Sequence, residues 1–215
     1  MKEYTDYPIL KYNTFGMDVK ASRFVEYSSV DELRAFLFSV DKNQPILHIG
    51  GGSNLLFISD FRGIILHSAI KGFTVEDETD EWIDINAGAG EVWDDFVEYS
   101  VSHGWYGAEN LSIIPGEVGA SAVQNIGAYG VEAKDIIHKV HTVCVADASE
   151  RVFSNEECTY SYRESIFKGE LKGRYVVTHV TYRLSKLPCY HLSYGNISSE
   201  LERRGLEPSL QNVRN

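Results

Sequence analysis

The sequence has few cysteines and prolines and no long hydrophobic run. Only three cysteines and five prolines occur among 215 residues, and no two cysteines form a CxxC pair. An odd number of unpaired cysteines predicts reduced thiols, as in a cytoplasmic protein, rather than a disulfide framework. The N-terminus lacks an apolar signal segment, and no run approaches the roughly 20 apolar residues of a membrane span. We therefore expect a cytoplasmic protein that does not enter a membrane.

Residues 72–133 contain no lysine or arginine. The same segment holds thirteen Asp and Glu residues, and the whole chain carries a formal net charge of −11. A basic surface for nucleic acid is therefore not expected. If this segment binds a phosphorylated ligand, it must use backbone N–H groups and hydroxyls instead of cationic side chains.

The composition is otherwise that of a globular chain, with 43% apolar and 24% charged residues. The length predicts one to two domains with a sizeable core. Strand and helix patterns follow each other without a regular strand–helix–strand repeat, which predicts the α+β class. Strand patterns cover residues 19–27, 46–49, 73–76, 82–87, 136–145, 151–153 and 174–184, and helix patterns cover 33–40, 91–102 and 197–204.

Several common catalytic signatures are absent. The chain has no GxxxxGK[ST] phosphate loop, no HExxH zinc motif and no GxSxG nucleophile turn. Neither Gly50-x-Gly52 nor Gly88-x-Gly90 is followed by the third glycine of the dinucleotide fingerprint. His138 and His141 lie three apart on a predicted strand, which places them on opposite faces as ordinary strand residues.

A glycine-rich turn, Gly50-Gly51-Gly52-Ser53-Asn54-Leu55, follows the short strand pattern at 46–49. Glycines permit positive φ angles and close backbone approach, so consecutive N–H groups can point into one concavity. Such a concavity binds a phosphate without cationic side chains, and Ser53 and Asn54 add neutral hydrogen-bonding groups. The alternative is an ordinary tight turn between strands.

A second segment, Ile114–Gly130, reads IPGEVGASAVQNIGAYG. Its small residues would let a flat or extended ligand lie against the backbone, and the amides of Gln124 and Asn125 could bind the ligand's heteroatoms. Loops of this length without regular structure are usually functional; the alternative is a buried connection packed for the fold. Together the two segments predict one hollow for a ligand with phosphates and a broad aromatic plane.

Four segments occur in an order typical of one family: Asn13-Thr14-Phe15, the Gly50–Leu55 turn, the Ile114–Gly130 block and SYRESIFK at 161–168. Over essentially its whole length the sequence closely resembles the UDP-N-acetylenolpyruvoylglucosamine reductases (MurB) of peptidoglycan synthesis. The combination of PGxVGxxxxQNIGAYG with SYRxSxFK is highly specific for that family. Ser193-Tyr194-Gly195 is similar to a further loop, found in the subtype with an extra substrate-binding tyrosine.

The resemblance implies the two-subdomain FAD-binding fold of the vanillyl-alcohol-oxidase (PCMH) type. It places one FAD-binding subdomain at residues 1–70, a second at 71–190, and the start of a linker and substrate-binding domain at 191–215. The chain stops near where the family's third domain begins, and the family's serine proton donor and glutamate lie beyond Asn215. We therefore interpret the chain as a truncated fragment in which no residue has those two roles.

The resemblance also implies noncovalent FAD, with NADPH as co-substrate, in the reduction of UDP-N-acetylglucosamine enolpyruvate to UDP-N-acetylmuramate. Arg163 matches the family's arginine for the substrate carboxylate, whose geometry suits a planar guanidinium. The residues expected at the substrate are Tyr129, Arg163 and Tyr194. The residues expected at FAD are Gly50, Gly51, Gly52, Ser53, Asn54, Leu55, Pro115, Gly116, Gly119, Ala120, Ser121, Gln124, Asn125, Ile126, Gly127, Ala128 and Val177.

Two other functions stay open at this point. One is a flavin oxidoreductase of the same fold that acts on another substrate. The other is a non-catalytic FAD-binding module, because the family's third domain is not part of the sequence, and the 215-residue chain alone is expected to show little turnover. Arg163 could instead form a structural ion pair, for example with Glu164. We expect a monomer whose partners are the UDP-sugar and NADPH, with no nucleic acid and no membrane.

Overall fold

Two β-sheets with helices packed against them make up most of the fold. The structure is a computed structural model that describes residues 1–215. The strands are β1 Lys2–Pro8, β2 Lys20–Tyr27, β3 Ile46–Ile49, β4 Phe61–Ser68, β5 Phe73–Glu78, β6 Trp82–Gly88, β7 Gly127–Ala128, β8 Val131–Glu132, β9 Ile137–Cys144, β10 Glu150–Ser154 and β11 Tyr175–Ser185. The helices are α1 Val30–Ser39, α2 Trp93–Ser102, α3 Val118–Gln124, α4 Ile197–Arg204 and α5 Leu210–Arg214. None of them has the length and apolar character that a membrane crossing requires.

The first sheet is mixed and the second is antiparallel. In the first, the strand order is β1-β2-β4-β3, with β4 parallel to both β2 and β3. Parallel strands need a crossover connection, and α1 forms part of the one between β2 and β3. In the second, the order is β10-β9-β11-β6-β5, and every neighbouring pair is antiparallel. The mixed sheet and the helices confirm the predicted α+β class.

The largest core lies between the second sheet and helices α2 and α3. Trp93 and Phe96 of α2 pack against Tyr182 of β11, with ring centroids 5.6 and 4.4 Å away. The indole N–H of Trp93 donates to the carbonyl of Leu111 at 2.8 Å, so this buried polar group is satisfied. A smaller core under α1 contains Val143 of the second sheet as well as first-sheet residues. The two sheets therefore pack directly against each other.

The sequence patterns predicted many elements but missed α3. The helix pattern at 197–204 coincides with α4, and the one at 91–102 corresponds to α2, which begins at Trp93. Ser29 caps α1 through its Oγ, which accepts from Glu32 N at 3.1 Å, as the capping pattern predicts. Strands β1, β4, β7 and β8 and helices α3 and α5 were not predicted. Helix α3 is only seven residues of mostly small side chains, so it shows no apolar period.

His138 and His141 lie on the same face of the second sheet, so the prediction of opposite faces was wrong. Consecutive residues of β11 pair with the residues on either side of His138, which is therefore the extra residue of a β-bulge. The extra residue reverses the alternation of faces along β9. His138 lies 3.7 Å from the Asp84 carboxylate, and His141 lies 3.3 Å from the amide of Asn86, two residues further along β6.

Candidate functional site

Two distant parts of the sequence meet around one hollow. The Gly50–Leu55 turn forms one wall, and residues between Gly116 and Gln124 form the other. Ala89, which follows β6, completes the lining of a cavity of about 170 Å³. The prediction that the two motifs share one hollow is confirmed.

Gly52 determines the shape of the turn. Its φ angle is +70°, and a Cβ at this position would lie 1.7 Å from the carbonyl oxygen of Tyr12. The N–H of Thr14 donates to the Gly52 carbonyl at 3.4 Å. The loop around residues 12–14 therefore closes on the back of the turn, which only a glycine at position 52 permits.

The turn leaves its main-chain donors unused. None of the six consecutive N–H groups from Gly50 to Leu55 donates a hydrogen bond to the protein backbone, and none of the side-chain bonds of the molecule involves them. Gly52 is buried, and the other residues of the turn except Asn54 are partly buried. Main-chain donors in buried positions are normally paired. The lining includes no lysine and no arginine. The hollow thus fits an anionic group that is held by peptide N–H groups, as in other backbone anion sites.

Glu117 is the carboxylate at the hollow. Its Oε1 lies 3.0 Å from Nε2 of His67 on β4, and the other ring nitrogen of His67 lies 3.5 Å from Glu26 of β2. A Cβ at Gly50 would be 3.1 Å from Glu117 Oε2, so the carboxylate lies against the turn on the side that faces α3. His67 therefore ties the residue that precedes α3 to the first sheet.

His48 lines the hollow without adding positive charge. Burial lowers the pKa of His48 to about 3, so its imidazole is neutral at pH 7. Nε2 of His48 lies 2.8 Å from the hydroxyl of Tyr27, whose pKa burial raises. A neutral ring nitrogen can accept this hydroxyl's proton in a hydrogen bond, whereas a protonated one cannot.

Small residues bring α3 close to the end of β6. A Cβ at Gly119 would lie 2.9 Å from Cβ of Ala89, and Gly119 N donates to the Ala89 carbonyl at 2.9 Å. A Cβ at Gly50 would lie 3.5 Å from Cβ of Ala120, across the hollow. A larger residue at position 119 would push α3 away from β6, so the small residues of this segment set the width of the hollow.

Most of the residues expected at FAD lie around this hollow or next to it. Those in the hollow are Gly50, Gly51, Gly52, Ser53, Asn54, Leu55, Gly116, Gly119, Ala120 and Gln124. Pro115, Gly127 and Ala128 line a neighbouring cavity of about 560 Å³, which also reaches Tyr129 and Arg163.

Four residues expected at FAD have side chains engaged elsewhere. Ser121 is fully buried, and its Oγ lies 2.7 Å from the hydroxyl of Tyr182. Asn125 is also fully buried; its amide donates to the Ser161 carbonyl at 2.8 Å, and its Oδ1 accepts from Lys134 N. The side chains of Ile126 and Val177 belong to the large hydrophobic core. These four side chains hold the walls in place and do not line the hollow.

The three residues expected at the substrate meet in one cleft, which shares Tyr129 and Arg163 with the neighbouring cavity of about 560 Å³. Tyr129, Arg163 and Tyr194 line a cavity of about 510 Å³, together with Tyr162. Tyr129 is 52% exposed and Tyr194 is 61% exposed, so both rings are accessible to a ligand. Arg163 forms no ion pair: its Nη2 donates to the carbonyl of Gly127 at 3.1 Å, while Glu164 lies 3.7 Å from Lys168. The alternative of an Arg163–Glu164 pair is therefore not observed.

Two residues that line this cleft have a strained backbone. Tyr129 and Arg163 have φ angles of +48° and +56°, in the left-handed region that side chains rarely adopt. The Arg163 carbonyl is held by the ammonium of Lys168 at 2.6 Å. Backbone strain of this kind gathers at ligand sites, where the surrounding structure maintains it.

Sequence reasoning missed two residues that shape the hollow. Glu117 lies inside the recognised block, but a single carboxylate carries no motif. Tyr12 packs against Gly52 from a separate loop, and nothing in the sequence indicates that contact.

Comparisons with known proteins give the same picture for the fold. A sequence model described as "FAD binding domain" matches residues 21–154. The chain is similar in fold to a MurB from Thermus caldophilus, with a TM-score of 0.68 at 22% identity over 99% of this chain and 67% of that one. It is also similar to 6-hydroxy-D-nicotine oxidase from Arthrobacter nicotinovorans, with a TM-score of 0.64 at 18% identity over 87% and 42% of the two chains. The predicted FAD-binding fold is confirmed.

Curated relatives match the chain more closely in sequence. A UDP-N-acetylenolpyruvoylglucosamine reductase of Bacteroides fragilis (strain YCH46) is 57% identical over 92% of this chain and 59% of its own length. One from Porphyromonas gingivalis (strain W83) is 44% identical over 97% of this chain and 62% of its own. The chain thus spans about six-tenths of these relatives, and the resemblance seen in the motifs is confirmed. With the domain model matching more than half of its residues, the chain belongs to the FAD binding domain family.

Proposed function

We propose that the chain holds FAD noncovalently in the glycine-lined hollow, as the flavin-binding part of an NADPH-dependent UDP-N-acetylenolpyruvoylglucosamine reductase. The reaction would reduce UDP-N-acetylglucosamine enolpyruvate to UDP-N-acetylmuramate in peptidoglycan synthesis. One observation carries the proposal: six unused main-chain donors and a wall of small residues enclose a hollow with no cationic side chain. The sequence similarity to the reductases supports the choice among flavin enzymes.

The residues of the hollow fit the phosphates of FAD. The N–H groups from Gly50 to Leu55 would bind the diphosphate, since they are the donors without partners. Ser53 and Asn54 would add hydroxyl and amide groups. Pro115, Gly127 and Ala128 would face the flat ring, because they line the cavity that lies toward Arg163. When bound, FAD supplies the hydride that passes from NADPH to the substrate.

Arg163 would stabilise the charge that develops on the substrate. The enolpyruvyl group is an α,β-unsaturated carboxylate, so addition of hydride at its β carbon moves an electron pair toward the carboxylate, and a proton must then reach the α carbon. A guanidinium against the carboxylate oxygens binds this charge more strongly as it grows, which lowers the barrier. Arg163 is free for this role because no carboxylate of the protein pairs with it.

Tyr129 and Tyr194 would bind the sugar nucleotide beside that carboxylate. Both rings are about half exposed and line the same cleft as Arg163. A tyrosine offers a flat apolar face and a hydroxyl, which together suit a nucleotide or sugar surface.

An absorption spectrum of the purified chain tests the cofactor. We expect a yellow protein whose flavin is released by acid, because the proposed site holds the cofactor through hydrogen bonds from main-chain N–H groups. Colourless protein that takes up no added FAD would overturn the proposal. Protein that binds FAD but fails to bind the UDP-sugar would favour a flavin enzyme of other specificity.

A further inference from the structure

Asn110 joins the two loops that carry Tyr129 and Tyr194. It lies in a single helical turn at Glu109–Leu111 and is only 3% exposed. Its amide nitrogen donates to the carbonyl of Tyr129 at 3.2 Å and to the carbonyl of His191 at 2.7 Å. These acceptors are 19 and 81 residues away in the sequence. One side chain thus connects two segments that lie far apart in the sequence.

The orientation of this amide is determined by its partners. Carbonyl oxygens can only accept hydrogen bonds, so the NH₂ group of Asn110 must face both of them. The other side-chain atom, Oδ1, is buried and has no partner. Leaving a buried acceptor unpaired is unfavourable. The stabilising contribution of the Asn110 side chain therefore comes from its two donated hydrogen bonds.

Close packing brings the same two loops into direct contact. A Cβ at Gly130 would lie 2.8 Å from Cβ of Tyr194, and the φ angle of Gly130 is +79°. A Cβ at Gly195 would lie 3.8 Å from Cδ1 of Tyr129. Tyr194 therefore packs on the glycine that follows Tyr129, and Tyr129 packs on the glycine that follows Tyr194. Asn110 adds a hydrogen bond to each of the two loops.

We propose that Asn110 is a positioning residue, which fixes the spacing of Tyr129 and Tyr194 so that both rings bind one nucleotide-bearing ligand. This inference rests on the proposed function, which assigns the two tyrosines to a UDP-sugar. If binding has to order two loops, the conformational entropy that they lose lowers the affinity. Loops that are already ordered before the ligand arrives do not lose this entropy on binding. Asn110 does not line the glycine hollow, so the contacts proposed for the diphosphate of FAD do not depend on it. It lines the neighbouring cavity of about 560 Å³, which reaches Tyr129 and Arg163.

The variant Asn110→Ser removes the amide donors and tests the proposal. The matched control is Asn155→Ser, because the amide of Asn155 also donates to two carbonyls, those of Lys134 and Ile137, at 2.8 and 2.7 Å. With UDP as the probe in isothermal titration calorimetry, we expect Asn110→Ser to raise the Kd about tenfold. FAD affinity should stay within about twofold, and Asn155→Ser should change neither value. A general loss of structure would instead weaken both ligands.

Hydrogen–deuterium exchange without ligand tests the connection separately. In Asn110→Ser, residues 127–132 and 189–196 should both exchange faster, and in Asn155→Ser the second segment should not change. If wild-type protein does not bind UDP, the proposed substrate is wrong, and exchange still decides the role of Asn110. Unchanged exchange in Asn110→Ser, or unchanged UDP affinity beside normal wild-type binding, would overturn the inference. If Asn110→Ser does not fold, Gly130→Ala disturbs the same contact from the other side and should give the same two effects.

Discussion

The hollow and the tyrosine cleft present their chemistry in opposite ways. The hollow offers main-chain N–H groups from Gly50 to Leu55, behind which backbone and small side chains approach closely. The cleft offers side chains on loops with positive φ angles: the exposed rings of Tyr129 and Tyr194 and the half-buried guanidinium of Arg163. In the first region the conformation of the main chain determines binding, and in the second region the identity of the side chains determines it. The two regions should therefore respond differently to substitution, pH and salt.

The largest effect is expected for Gly52→Ala, which attacks the shape of the hollow. The new Cβ would meet the Tyr12 carbonyl, 1.7 Å away, at a φ angle of +70°. We expect the free energy of unfolding to fall by about 2–4 kcal/mol, with loss of flavin binding. Urea denaturation and flavin fluorescence measure the two effects.

Gly16→Ala is the matched control for Gly52→Ala. Gly16 has nearly the same φ angle, +68°, but nothing lies within 4 Å of its added Cβ. It should lose only about 1 kcal/mol, which is the effect of the φ angle alone. Equal losses in the free energy of unfolding in the two variants would show that the contact with Tyr12 does not contribute to the destabilisation of Gly52→Ala.

Arg163→Ala should act on the cleft and leave the hollow intact. If the proposed reductase activity is correct, we expect the variant to slow enolpyruvyl reduction by about 100-fold, because the charge on the substrate carboxylate is no longer stabilised. Stopped-flow absorbance of the flavin measures the rate. Arg174→Ala, which changes an arginine of a different cavity, serves as the control. A normal rate in Arg163→Ala would show that Arg163 does not stabilise the substrate carboxylate. Loss of flavin from this variant would show that the hollow and the cleft do not act separately.

Acidic pH should weaken the protein through His48. Its pKa is about 3 in the fold and about 6.5 in an unfolded chain. Between these two pH values the unfolded state binds a proton at His48 and the folded state does not. The contribution of His48 to the free energy of unfolding is therefore complete above pH 6.5 and is lost as the pH falls toward 3. Burial lowers the pKa of His138, His141 and His179 as well, with the same sign. Urea midpoints measured between pH 7 and 5 should fall less in His48→Gln than in wild type; identical slopes would contradict the assignment.

The smallest effect is expected for salt on flavin affinity. With no lysine or arginine in the hollow, raising NaCl from about 50 to about 500 mM should change the FAD dissociation constant by less than about twofold, because little charge–charge attraction is available to screen. UDP binding beside Arg163 should weaken more clearly over the same range. Fluorescence titrations measure both, and a steep salt dependence for FAD would mean that a cationic side chain reaches it.

The sequence predicted the parts of the site that are local. The Gly50–Leu55 turn and the SYRESIFK segment stood out because their residue types are unusual at that spacing. Helix α3 could not be predicted, since Gly119 and its small neighbours give no apolar period. Contacts such as Tyr12 on Gly52 depend on how distant loops meet. The bulge at His138 could not be predicted either, because the alternation of apolar and polar residues along a strand does not show where the strand holds an extra residue. The subdomain boundaries at 70 and 190 stay predictions.

The unused N–H groups of the turn have a consequence for inhibitor design. These donors belong to the peptide backbone, so exchanging the side chains of Ser53 or Asn54 leaves them in place. The substitution that would remove their arrangement, at Gly52, also breaks the packing against Tyr12. A compound that anchors on these amides would therefore be hard to lose through a single substitution in the turn.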